Sequence, residues 1–102
     1  MLKVTFTTRE LRFENSKTGS TVSVAYEAFP EIFGHPRHPI SNLAMAVPVL
    51  RESMKRVAGF RLLAPKVKVH IDRPLVGGEA DVDRQVIKAF FLYAGARKVE
   101  IS

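Results

Sequence analysis

Apolar and polar side chains alternate along five short stretches of this chain. Leu2, Val4 and Phe6 are interleaved with Lys3, Thr5 and Thr7, and Leu11 and Phe13 flank Arg12. Val22, Val24 and Tyr26 alternate with Thr21, Ser23 and Ala25. Val67, Val69 and Ile71 alternate with Lys66, Lys68 and His70, and Val99 and Ile101 with Lys98 and Glu100. A period of two marks a half-buried strand. A turn near Thr8-Arg9 and the cluster Asn15-Ser16-Lys17-Thr18-Gly19-Ser20 separate the first three strands, which reads as an antiparallel meander.

Two stretches have the helical period instead. Val47, Leu50, Met54, Val57 and Ala58 fall on one helical face, with Arg51, Glu52, Lys55 and Arg56 largely on the other. Pro48 is tolerated within a first turn, so this helix is expected to start near Ala46 or Val47 and to stop at Gly59. The second helix runs from a cap at Asp81 to about Ala94, ended by Gly95. Its apolar stripe is Val82, Val86, Ala89, Phe90 and Tyr93, widened by Ile87 and Phe91, with Asp83, Arg84, Gln85 and Lys88 toward solvent. Phe29 to Pro39, with three prolines, reads as a long loop whose Phe29, Ile32 and Phe33 tuck inward.

Strand, helix and strand from Lys66 to Ile101 make one βαβ unit, with a right-handed crossover between parallel strands. Every strand keeps a polar face, whereas strands covered on both sides read as continuous apolar runs. This predicts a two-layer α/β sandwich. Both helices cover one face, and the other is open to water or to a partner.

Length and composition narrow the class. At 102 residues with no internal repeat or linker, residues 1–102 form a single domain. Hydrophobic content of 46% is that of a globular chain. The absence of cysteine excludes disulfides and thiolate metal sites. No apolar run is long enough to span a bilayer and the first residues lack a signal-peptide layout, so the expected setting is cytoplasmic, without membrane insertion. The formal net charge of +6 points to an anionic partner or to a solvated basic surface.

The candidate chemistry is sparse. His35-Pro36-Arg37-His38 spaces two histidines three apart without a third ligand nearby, so no metal site is assigned. Gly77-Gly78 precedes a helix, but Glu79, Asp81 and Asp83 would repel a phosphate there. His70 lies on a polar strand face and reads as a surface histidine. No catalytic residues, cofactor or small-molecule substrate can be nominated. What remains is a surface: Lys3, Lys66, Lys68, His70 and Lys98 share the open sheet face as a candidate interaction face. Phe6 and Phe13 fall on the apolar side, so this face lacks the stacking aromatics of sheet-type single-strand binders.

Several segments resemble MreB-type bacterial actins. Ile40-Ser41-Asn42-Leu43 through Val49-Leu50-Arg51 to Lys55-Arg56-Val57 is similar to that family's I-x-D-F…M-L-R…K-K-V segment. Ala64-Pro65-Lys66-Val67-Lys68-Val69 resembles its R-P-x-V-x-I strand. Gly78 through Val82-Asp83-Arg84 to Ala94-Gly95-Ala96-Arg97-Lys98-Val99 resembles G-x-T-x-V-E-x-R-A…A-G-A-R-x-V. The likeness covers roughly residues 40–101 and corresponds to the first subdomain only. It implies a ribonuclease-H-like βββαβαβ fold with a mixed five-stranded sheet in the order 3-2-1-4-5. The family binds ATP, but its first phosphate hairpin carries an Asp and a Gly that Val4-Thr5-Phe6-Thr7-Thr8-Arg9-Glu10 lacks. Its glycine-rich second phosphate loop would lie beyond Ser102. Its catalytic Glu follows the strand matching Val99–Ile101, where this sequence stops. The resemblance is to a degenerate, non-catalytic domain acting by protein–protein association, with itself or with a cell-shape or cytoskeletal partner. The alternative is a small basic nucleic-acid-binding module.

Overall fold

The computed structural model of the chain describes residues 1–35, 38–59, 64–72 and 81–102, except the side chains of residues 81 and 82. Strands β1 (Leu2–Phe6), β2 (Glu10–Asn15), β3 (Thr21–Ala25), β4 (Lys66–Ile71) and β5 (Lys98–Ile101) form one sheet in the order β3-β2-β1-β4-β5. The first three pair antiparallel, while β4 runs parallel to β1 and β5 parallel to β4. Helices α1 (Pro30–Phe33), α2 (Leu43–Ala58) and α3 (Asp81–Tyr93) complete the chain order. Helix α2 packs on β1, β2 and β3, and α3 packs on β5 and on α2. The fold is the expected α/β arrangement: a mixed 3-2-1-4-5 sheet with its helices on one side, in ribonuclease-H-like order.

The alternation of the strands decides which face is dry. Leu2, Val4, Phe6, Leu11, Phe13 and Val69 are fully buried beneath the helices. Leu50 of α2 and Ile87 and Phe91 of α3 meet them there, with the Phe13 and Phe91 rings 6.3 Å apart. Each such side chain contributes about 1.5–3 kcal/mol by leaving water.

The helices differ from expectation in three ways. Helix α2 starts at Leu43, a turn earlier than expected. Asn42 adopts a left-handed φ of 59° and its side chain accepts from the Met45 amide, which caps the first turn. Pro48 therefore lies inside the helix. The donor it lacks would have served the carbonyl of Ala44, a residue on the exposed side where water can replace it. The apolar face of α2 is Ala46, Leu50, Met54 and Val57, with Ser53 buried among them and donating back to the Val49 carbonyl at 2.8 Å. Val47 and Ala58 are only partly covered.

Helix α3 is rotated relative to the expected stripe. Ile87, Phe90, Phe91 and Ala94 face inward, Val86 and Ala89 are half-buried, and Tyr93 is 67% exposed. Asp83, expected toward solvent, is buried at 1% exposure on the same inward line. The end of α3 is as the sequence predicts. Gly95 takes φ 109°, Gly95 donates to Leu92 and Ala96 donates to Phe91, closing the last turn.

The expected loop over residues 29–39 carries structure. A 3-10 turn over Tyr26–Ala28 leads into α1, where Pro30 occupies a first-turn position that needs no amide donor. Ile32 and Phe33 are fully buried as expected, and Phe33 stacks on Tyr26 with ring centroids 4.9 Å apart. Ser41 donates its amide to the Ile32 carbonyl at 2.8 Å, so the free end of this short helix is satisfied.

Candidate interaction surface

The uncovered face of the sheet is assembled by strand register. One row crosses all five strands: Thr21, Glu14, Lys3, Lys68 and Glu100 lie side by side. The next row is Ser23, Arg12, Thr5 and His70. Lys66 lies opposite Lys98 in the row on the other side. Lys3, Lys66, Lys68, His70 and Lys98 are all exposed on this face. The five residues picked out from alternation alone are thus brought together on the adjacent strands β1, β4 and β5.

The electrostatics of this patch are unusual for a resting surface. Lys3 is directly opposite Lys68, and Lys66 directly opposite Lys98. Like charges directly opposite across strands are destabilising. Carboxylates border the patch rather than dividing its lysine pairs: Glu14 stands beyond Lys3, and Glu100 beyond Lys68 with its oxygen 3.6 Å from Lys98 Nζ. Near β3, Arg12 donates to Glu10 at 3.1 Å. Arg12 and Ser23 together hold the Glu10 carboxyl below its ordinary value of 4.5. No Phe, Tyr or Trp stands on this face among the described strand residues, since Phe6 and Phe13 are fully buried on the other side.

The remaining sequence candidates separate. His70 is exposed, with Nδ1 3.5 Å from the Ser102 hydroxyl. His35 and His38 stack with ring centroids 4.6 Å apart, and His38 Nδ1 lies 3.4 Å from the buried Asp83 carboxylate. Among the described residues no group of three or more metal-ligating side chains occurs. Gly77 and Gly78 lie outside the described residues.

The two edges of the sheet form a second kind of surface. Beside β3 a groove of 440 Å³ is lined by Val22, Val24, Ala28, Phe29, Pro48 and Val49, with Glu52 and Arg56 along it. Beside β5 a hollow of 440 Å³ is lined instead by Arg84, Gln85, Lys88, Lys98 and Glu100 with Val99 and Ile101. The first combines β3 with the later helix α2, and the second lies between the consecutive elements α3 and β5.

One structural residue was also missed. Asn15, read as part of a turn, is buried. Its Nδ2 donates to the Val57 carbonyl at the end of α2 and its Oδ1 accepts from the Lys17 amide. It satisfies a helix-end carbonyl that has no intrahelical partner and ties the β2–β3 hairpin to α2. No helix among the described residues is long and apolar enough to cross a membrane. No family model, curated protein or solved structure matches the chain.

Proposed function

We propose that this chain is a non-catalytic, MreB-like (actin-like) domain that works by protein–protein association, docking an acidic protein surface on its open sheet face. The observation that carries this reading is the pair of cross-strand lysine pairs, Lys3 with Lys68 and Lys66 with Lys98. Each sets like charges side by side, and positions that break a local rule in an otherwise consistent fold are where function is expected. An anionic partner relieves both repulsions at once. The 3-2-1-4-5 order supports the actin-like part of the reading at the level of topology.

The bordering carboxylates favour a protein over a nucleic acid. A phosphate backbone laid across the strands would leave the lysines for Glu14 on one side and Glu100 on the other. The face also offers bases no ring of Phe, Tyr or Trp to stack on among its described strand residues.

A photo-reactive amino acid placed at Lys68, and separately at Lys88 on the outer side of α3, tests the proposal in cells. The expected result is a discrete protein adduct from position 68, lost when Lys3 is changed to Glu, and none from position 88. Equal labelling from both positions contradicts it. Saturable binding of a single-stranded oligonucleotide with a steep salt dependence would establish the nucleic-acid reading instead.

A further inference from the structure

We infer that β3 is a self-pairing edge through which two copies of this chain join their sheets antiparallel into one. This rests on the reading of the chain as an association module, and it names a partner and a surface separate from the lysine face.

Backbone parity decides which groups of β3 face outward. The Asn15 amide donates to the Ser20 carbonyl at 2.9 Å, and the Tyr26 amide to the Arg9 carbonyl at 3.1 Å. With Phe13 opposite Val22 and Leu11 opposite Val24, the alternation of an antiparallel ladder turns the backbone of Val22 and Val24 toward β2. Thr21, Ser23 and Ala25 therefore present their amides and carbonyls outward, at the sheet edge. Native edges are usually guarded by charge, proline, a bulge or a covering element. The β3 sequence Thr-Val-Ser-Val-Ala has no charge and no proline, and it pairs with β2 in unbroken one-to-one register.

This edge is complementary to itself. An antiparallel copy centred on Ser23 sets Ser23 against Ser23 of the second copy, and Thr21 against its Ala25. Every outward amide and carbonyl of the strand then has a partner. The same register sets Val22 against Val24 of the second copy in the positions where side chains approach most closely. Both lie on the helix side of the sheet, so the apolar groove is closed by its own counterpart. The groove also carries one charge of each sign, Glu52 and Arg56. A two-fold related copy presents them in inverted order, which makes the contact isologous in charge as in shape.

The test uses the full chain, which has no native cysteine to interfere. Light scattering across rising concentration is expected to show the mass climbing from one chain to two. Ser23→Cys is expected to yield a covalent dimer with a short bifunctional thiol reagent, since its Cα would lie about 5.5 Å from its symmetry mate. Thr21→Cys, displaced from the two-fold, is expected to yield far less. Ser23→Pro removes an outward amide and no backbone bond to β2, both variants lose the exposed hydroxyl contact with Glu10, and Ser23→Lys opposes two like charges at the axis. Both are expected to keep the circular dichroism of the wild type and to weaken dimerisation by about tenfold or more. A wild type that stays monomeric at every concentration overturns the inference. So does a dimer indifferent to both Ser23 substitutions, or equal cross-linking from positions 21 and 23. The adduct at position 68 depends on a different surface, so failure of the edge pairing and failure of the lysine face are told apart.

Discussion

The two edges of this sheet are built on opposite principles. At β5 the strand spans only Lys98–Ile101, its polar positions are Lys98 and Glu100, and the hollow beside it is lined by Arg84 and Lys88. Each charged side chain there would have to lose water before another strand could pair. At β3 the solvent-facing positions are Thr21, Ser23 and Ala25, none of them charged, and the neighbouring groove is walled by Val22, Val24, Phe29, Pro48 and Val49. A strand approaching this edge desolvates no ionised group on the strand itself and buries apolar surface as it arrives. The difference teaches that openness in this molecule is local: one edge is defended and the other is left available.

The largest effect that would break this comparison is expected inside β3 itself. Val24→Pro removes an amide that bonds to β2 and is expected to cost about 3 kcal/mol or more. Ser23→Pro, one residue away, is expected to cost under about 1 kcal/mol because its amide points outward. Urea midpoints of the two variants measure the gap, and equal losses would contradict the assigned parity.

The next effect concerns what holds the β3 side of the sheet in place. Asn15→Leu leaves the Val57 carbonyl without its side-chain donor. It is expected to destabilise the fold by about 1–3 kcal/mol, read from the same denaturation curves. A neutral result would mean that the Asn15 side chain does not anchor the hairpin to α2.

A smaller change sharpens the other side of the comparison. Lys98→Thr combined with Glu100→Thr takes the charge off β5 while removing an exposed ion pair worth under about 1 kcal/mol. Thermal stability is expected to change little, whereas light scattering is expected to show new, higher-order association. If the double variant stays as soluble and as small as the wild type, charge is not what guards that edge.

The smallest effect is a pH dependence. The Glu10 carboxyl is held below its ordinary 4.5, first by the hydrogen bond from Arg12 and then by that from Ser23. A carboxylate depressed in the folded state contributes stability above its unfolded value and loses it as pH falls through the folded one. The difference in urea midpoint between the wild type and Glu10→Gln is therefore expected at neutral pH and should close in the acid range below 4.5. A difference that grew on acidification would reverse the assignment.

Much of this architecture is legible in the sequence, for a definite reason. Strand alternation is a local pattern, so the five strands and the lysine face follow from Val67-Lys68-Val69 and its counterparts without tertiary information. The glycine that ends α3 is equally local. Two of the misses depend on partners remote in the chain. Asp83 lies on the inward line of α3, where His38 meets it from the segment before α2. Asn15 is buried because Val57, distant in the chain, ends a helix above it. The early start of α2 turns on Asn42 accepting a left-handed φ, which outweighs the cost of Pro48 in the second turn. The groove beside β3 joins that strand to α2, and that β3 is an edge follows only from the sheet order.

The availability of β3 is tested most directly by amide hydrogen exchange, resolved by residue, at low and high protein concentration. Protection of Thr21, Ser23 and Ala25 is expected to rise with concentration while that of Val99 and Ile101, whose amides face outward on β5, stays constant. Protection at Thr21, Ser23 and Ala25 that is independent of concentration, or a rise at Val99 and Ile101 instead, would contradict the account.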